Sequence, residues 1–383
     1  MTTILLASAG GHLQQLHSLF PRLGLSDDVI WATPDSALAQ HLLRDEQRIV
    51  LPYTPPRDWK AAIRLSGTAL QLLKRTGAKR IISTGASPAP PFFLAGEALG
   101  LDMHYIESAT RSNGPSLSGK LVSMLPSAHL YTQYPECAGG RWRFAGSIFD
   151  PFSPEKATGQ APSLQRVVVT LGTEAYGFRR AVERLLQVLP QHAEVLWQIG
   201  NTDVEHLGID ARQFVPGDEL RDAMAAADVV ISHAGTGSAL TSFEMGKTPL
   251  VLPRESEFGE HVDNHQMLTA RELSRRGLAV TAPVIELTRE HLERTLASRV
   301  VTDSIRRPFG LAGESQFEQS STVDLRRPAR GGVPEQALTE FVPGQQAIPI
   351  PTPRKHWLSP RARSEKSATV DLRSPAKAAE ARE

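Results

Sequence analysis

Three short turns carry most of the side chains in this chain that could do chemistry. The first, Ala9-Gly10-Gly11-His12, follows an apolar run and precedes leucines at helical spacing. Glycines in a strand-to-helix turn let backbone amides approach an anion, and the helix N-terminus adds partial positive charge. His12 is a candidate general base there, because an imidazole titrates near neutrality. The same residues also suit a tight turn with a helix-capping histidine. A dinucleotide fingerprint would need a third glycine, and Leu13-Gln14 follow instead. In the second turn, Thr170-Leu171-Gly172-Thr173-Glu174, Gly172 and Thr173 offer amides and a hydroxyl to an anion, although such turns are common. The third, SHAGTGS at 232–238, sets Gly235, Thr236, Gly237 and Ser238 where a diphosphate could rest on exposed helix amides. No lysine completes a Walker loop. Glu244, about two turns into the helix that follows, could hold ribose hydroxyls or lie on a solvated face.

A polar cluster comes next, Glu260-His261-Val262-Asp263-Asn264-His265-Gln266. Its His261-x-Asp263-x-His265 spacing suits a tetrahedral metal set poorly, and no Asp-x-Asp sequence occurs. The expectation is a reaction with no metal and no other cofactor. A departing diphosphate would then rely on helix amides and a cation such as Arg254 or Arg179, each of which could equally be an ion-pair partner at the surface.

Positioning these turns takes alternating strands and helices. Runs at 4–7, 29–32, 80–83, 104–106 and 129–131 read as strands, with helical patterns at 13–20 and 61–73. A Pro/Gly/Ser-rich stretch at 149–165 has the composition of a linker. The alternation restarts with strands at 166–170, 195–199, 214–215, 229–231 and 250–252 and helices at 180–188, 220–226, 266–276 and 289–299. The expected class is α/β, with two Rossmann-like doubly wound halves, 1–148 and 166–303, facing a cleft at the carboxyl ends of their strands.

Residues 304–383 carry thirteen Lys/Arg, nine Asp/Glu and nine Pro with little apolar periodicity, the composition of a disordered tail. A phrase recurs in it, Thr322-Val323-Asp324-Leu325-Arg326 and Thr369-Val370-Asp371-Leu372-Arg373. The tail could recruit an assembly partner, or it could be a solubilising extension with a chance echo. A net charge of +1 gives no field for nucleic acid, and the lone Cys137 excludes an intrachain disulfide and fits a reducing compartment. Neither a signal peptide nor a membrane-spanning run is expected from the apolar patterning.

These residues together resemble glycosyltransferase family 28, of the GT-B fold. In the second half the likeness rests on TLGTEAYGFRR from Thr170, ISHAGTGS from Ile231, GK at Gly246-Lys247 and, most specifically, LPRESEFGEHVDNHQ from Leu252. That half is similar to bacterial exopolysaccharide glycosyltransferases and to the catalytic subunit of the dolichol-linked GlcNAc transferase. The first half is similar to the partner subunit, which binds acceptor and membrane, through ASAGGHLQQL from Ala7, ISTGASPAPPFFLA from Ile82, YIESATRSNGPSLSGKL from Tyr105 and QYPE from Gln133.

The resemblance implies a UDP-sugar as co-substrate. Its diphosphate would lie near Gly235, Thr236, Gly237 and Ser238, where the candidates Gly172, Thr173 and Arg254 could join them, and its hexose near Glu260, His261, His265 and Gln266. The base would rest on the loop at 214–220, Val215 among its residues, through backbone contacts, with Glu244 as a ribose ligand; some relatives carry a glutamate where this chain has Thr241. The implied acceptor is a polyprenyl-diphosphate-linked saccharide held near Gly10, Gly11 and Arg111, with His12 as general base and Glu107 as second candidate. The implied setting is exopolysaccharide assembly.

Between residues 57 and 80, seven Lys/Arg face one Asp, interleaved with Trp59, Ile63, Leu65, Leu70, Leu72 and Leu73. This suits peripheral contact at the cytoplasmic face of a membrane, or a core helix with a basic outer side. Two rivals share the architecture: a UDP-sugar 2-epimerase, and a non-catalytic enhancer or scaffold of a glycosyltransferase complex.

Overall fold

The computed structural model describes residues 1–26, 28–55, 58–158, 163–172, 176–262, 264–303 and 307–312. In the first half the strands β1 (Thr2–Leu6), β2 (Asp28–Pro34), β3 (Arg48–Leu51), β4 (Ala78–Ser83), β5 (Asp102–Ile106), β6 (Ala128–Thr132) and β7 (Trp142–Phe144) form one sheet, ordered β3-β2-β1-β4-β5-β6-β7. Helices α1 (Gly11–Leu19), α2 (Ala37–Leu42), α3 (Trp59–Thr76), α4 (Ala89–Leu99) and α5 (Leu117–Val122) connect them. After β8 (Phe152–Lys156), the second half repeats the plan. Strands β9 (Arg166–Thr170), β10 (Glu194–Gln198), β11 (Ala211–Arg212), β12 (Val229–His233), β13 (Leu250–Leu252) and β14 (Val280–Thr281) are ordered β11-β10-β9-β12-β13-β14. Helices α6 (Arg179–Val188), α7 (Gly217–Ala226), α8 (Thr236–Glu244), α9 (His265–Arg275) and α10 (Arg289–Leu296) accompany them, and β15 (Ser298–Thr302) ends the series.

Both sheets are parallel, and both reverse direction at their first strand, which puts a ligand crevice beside the turns after β1, β9 and β12. Residues such as Ile4, Leu5 and Leu6, or Val167, Val168 and Val169, are buried in succession. That is the signature of strands covered on both faces, and it is why these runs were readable. A single apolar cluster joins the halves, with Leu13 and Leu16 of α1 packed together with Ala239, Leu240 and Phe243 of α8.

Three expectations need correction. Phe214 and Val215 are not a strand; the edge strand is Ala211–Arg212. The last helix ends at Leu296, and Ser298–Thr302 pairs antiparallel with β8 inside the stretch taken as linker. Pro154 obscured β8, but a two-stranded ribbon consists only of edges, where proline is tolerated.

The tail also begins later than its composition suggests. Phe309 and Leu311 are buried in the joint core, the Phe309 N–H donates to the Arg22 carbonyl (2.8 Å), and the Gly310 N–H donates to the Ala145 carbonyl (3.1 Å). The repeated phrase lies outside the described residues. Among the described residues no helix is long and apolar enough to cross a membrane.

Candidate active site

The backbone at Gly10 (φ 81, ψ −137) is one that only glycine adopts without strain, and it turns the chain from β1 into α1. His12 therefore sits in the first turn of α1. Its Nδ1 lies 2.7 Å from the Thr84 carbonyl, and the Thr84 hydroxyl returns a bond to the His12 carbonyl (2.8 Å). A carbonyl can only accept, so Nδ1 carries the hydrogen and Nε2 of the neutral ring keeps its lone pair. Burial holds the His12 pKa below its ordinary value; the Thr84 bond opposes this, while the charges of Arg111 and His265 add to it. His265 belongs to the other half, so the electrostatics of His12 already include both sides of the cleft.

The second half meets α1 at the start of α8. A Cβ on Gly11 would stand 3.4 Å from the Thr236 hydroxyl, Gln14 donates to the Thr241 hydroxyl (2.9 Å), and Gln15 donates to the Thr236 hydroxyl (3.2 Å). Helices α1, α8 and α9 all begin without a bond from the N-cap side chain. Helix starts leave N–H groups without intrahelical partners, so converging starts favour an anion.

Below the α8 turn lies a histidine that motif reading left without a role. His233 ends β12, is 7% exposed, and has Gly172 and Gly235 against its ring. A Cβ at Gly172 would approach the ring to 2.7 Å, and one at Gly235 would overlap it. Both glycines thus make room for an imidazole, in addition to any amides they offer. A histidine at a strand end followed by Ala-Gly was the available signal.

Several of the expected ligand residues also hold the second half together. Arg254 is 1% exposed and donates to the carbonyls of Leu171 (2.6 Å), Tyr176 (2.7 Å) and Glu260 (3.3 Å), so its guanidinium knits three loops. Glu260 is buried and pairs with Arg180 through both oxygens (3.0 and 2.9 Å). The Gln266 side-chain oxygen accepts the Arg254 N–H (3.1 Å). His261 and His265 pack edge to face at 4.4 Å, with Tyr176 beside His261, and of the two His265 is the more exposed. Arg179 is held at the surface by Glu183 and Asp203.

Glu244 closes α8, about 12 Å along the axis from the helix start, and pairs with Arg221 (2.7 Å). The Val215 N–H donates to the Gln198 side-chain oxygen (3.0 Å). Glu107 is buried, its oxygens accepting from the Ser108 N–H (3.0 Å), the Ser116 N–H (2.9 Å) and the Ser116 hydroxyl (3.0 Å). Burial raises its pKa against those bonds. It anchors the loop that carries Arg111. Thr173 and Asp263 lie outside the described residues. Among the described residues no group of three or more His, Cys, Asp or Glu is placed to hold a metal ion.

With the glycine turns, His265 and the Arg254 strut assembled around one sheet edge, comparison with known proteins becomes informative. Residues 166–304 match the Glycosyltransferase family 28 C-terminal domain. The UDP-N-acetylglucosamine--N-acetylmuramyl-(pentapeptide) pyrophosphoryl-undecaprenol N-acetylglucosamine transferase of Bordetella pertussis is 30% identical over 160 residues, which are 39% of this chain and 43% of that protein. The UDP-N-acetylglucosamine transferase subunit ALG13 of Yarrowia lipolytica is 39% identical over 88 residues, 21% of this chain and 43% of that one. The chain thus spans less than half the length of these relatives. Among solved structures, MurG of Acinetobacter baumannii superposes with a TM-score of 0.51 at 18% identity, covering 76% of this chain and 88% of that one. The glycosyltransferase SnogD from Streptomyces nogalater gives 0.50 at 17%, covering 77% and 90%. These two likenesses extend over both halves, and the fold is GT-B.

Proposed function

We propose that the chain is an inverting glycosyltransferase that moves a hexose from a UDP-sugar to a polyprenyl-diphosphate-linked saccharide in exopolysaccharide assembly. The observation that carries this reading is His12, a neutral imidazole with its Nε2 lone pair fixed by Thr84, set where α1 meets the start of the family-28 helix α8. The acceptor hydroxyl oxygen attacks the anomeric carbon from the face opposite the diphosphate. Its proton passes to His12 Nε2, and the bond from that carbon to the diphosphate oxygen breaks, releasing UDP. Amides at the start of α8 stabilise the departing charge without a cofactor. His265, at the start of α9, faces the hexose. UDP-GlcNAc is the first donor to try, because both named relatives are N-acetylglucosamine transferases.

Contact with the membrane surface is part of the proposal. Ile63, Leu94, Leu117, Leu121 and Met124 stand exposed on α3, on α4, on α5 and just beyond it, and these helices pack side by side. Lys60, Arg64 and Lys120 are exposed on α3 and α5. Leu65, Ala69 and Leu73 of α3 face the core instead, so only part of that apolar pattern is available to lipid.

A thermal-shift panel of UDP-sugars tests the donor, since a ligand that binds only the native state raises its melting temperature. UDP release with a polyprenyl-linked saccharide then tests transfer. If no UDP-sugar shifts the melting temperature and none yields UDP with that acceptor, the reading is wrong.

A further inference from the structure

We propose that Gln15 is a positioning residue that ties the loop at 107–116 to the first turn of α8, so that ordering one orders the other. The proposal rests on the donor-site reading of α8 and adds a mechanical link which that reading does not require. Gln15 is 1% exposed, on the α1 face turned toward the second half. Its Oε1 accepts the Ala109 N–H (2.9 Å) and lies 3.5 Å from Gln133 Nε2. Its Nε2 donates to the Ser108 hydroxyl (3.0 Å) and to the Thr236 hydroxyl (3.2 Å). One planar amide therefore binds two neighbouring residues of a first-half loop and the first residue of a second-half helix.

The surroundings leave this amide little freedom. Gln133 is fully buried, with its Nε2 on the Glu107 carbonyl (3.0 Å) and its Oε1 accepting the Ile148 N–H (2.9 Å). Glu107 fixes the same loop at Ser108 and Ser116, and the loop carries Arg111, whose charge acts on His12. A displacement of Thr236 must carry Ser108 and Ala109 with it or strand a buried donor or acceptor, which costs far more than a shared small shift. Occupancy at the start of α8 is thereby transmitted to Arg111 and the ground around His12, and the coupling must be reciprocal.

Amide hydrogen exchange on the full chain, with and without UDP, reads this directly. In the wild type UDP should slow exchange both at 236–244 and at 108–116, the loop by at least about fivefold. In Gln15→Met, protection at 236–244 should persist while the loop response is lost, an outcome that a merely stabilising side chain would not produce. Should that variant not fold, Ser108→Ala removes one of the loop contacts alone and should shrink the loop response. An undiminished loop response in these variants, or wild-type protection confined to 236–244, overturns the coupling. No wild-type protection at either segment removes the donor reading and the coupling with it.

Discussion

His12 follows β1 in the first half and His233 closes β12 in the second, so each stands at the carboxyl edge of a parallel sheet beside a glycine-bearing turn. In the first turn the glycines precede the histidine, which places the ring on the opening turn of α1 with one nitrogen fixed by Thr84. In the second the glycine follows it, the ring stays in the strand, and Gly172 and Gly235 close over it. The first ring is thus half-buried where the halves meet, whereas the second is buried as a floor. A matching contrast separates the charged groups: Arg254 and Glu260, prominent in the motif, spend their bonding inside the second half, whereas the modest Gln14 and Gln15 reach across the cleft.

The sharpest way to break the comparison is to exchange the roles of the two rings. His12→Ala should lower kcat/KM by about 10²–10⁴-fold with little change in melting temperature, measured as UDP release. If His233→Ala matched it in rate loss while leaving UDP affinity intact, the displayed and buried assignments would be reversed. A smaller but still large effect is expected on stability. Arg254→Met should cost about 3–5 kcal/mol in denaturant unfolding, because three carbonyls lose their common donor in the interior. Next comes Gly235→Ala, where a methyl group meets the His233 ring; an overpacking cost of about 1–3 kcal/mol and weaker UDP binding by calorimetry are expected.

The pH profile sharpens the electrostatic half of the contrast. A base with a depressed pKa remains unprotonated to lower pH, so kcat/KM should fall on the acid side only below the ordinary histidine value of 6.5. Arg111→Ala removes a repulsion that favours the neutral ring and should shift that acid limb upward, by less than about one pH unit. The smallest effect belongs to Glu244→Ala. Its pair with Arg221 is partly exposed, and its loss should cost about 0–1 kcal/mol in denaturant unfolding.

Much of the architecture was legible because buried parallel strands are written as continuous apolar runs, as at 4–6 and 167–169. The short edge strands were not, since Ala211–Arg212 and Val280–Thr281 hold too few residues to show a period. For the candidate site, sequence marked the turns at 9–12 and 232–238 that the structure brings together, but not which side chains spend their bonds inside one half. The difference between Arg254 as ligand and Arg254 as strut depends on carbonyls at Leu171 and Tyr176, about eighty residues away in the chain, and no local spacing records that. Gln14 and Gln15 were invisible for the same reason: their partners Thr241 and Thr236 lie in the other half.

The segment at 307–312 returns the chain to the side of the molecule it left at β8. The halves are accordingly joined by two covalent crossings, one near residue 150 and one after β15. Both crossings run beside the apolar cluster that the halves share, and Phe309, seated against Tyr131 at 6.0 Å, fastens the returning chain to the first half like a stitch drawn back through the cloth it left.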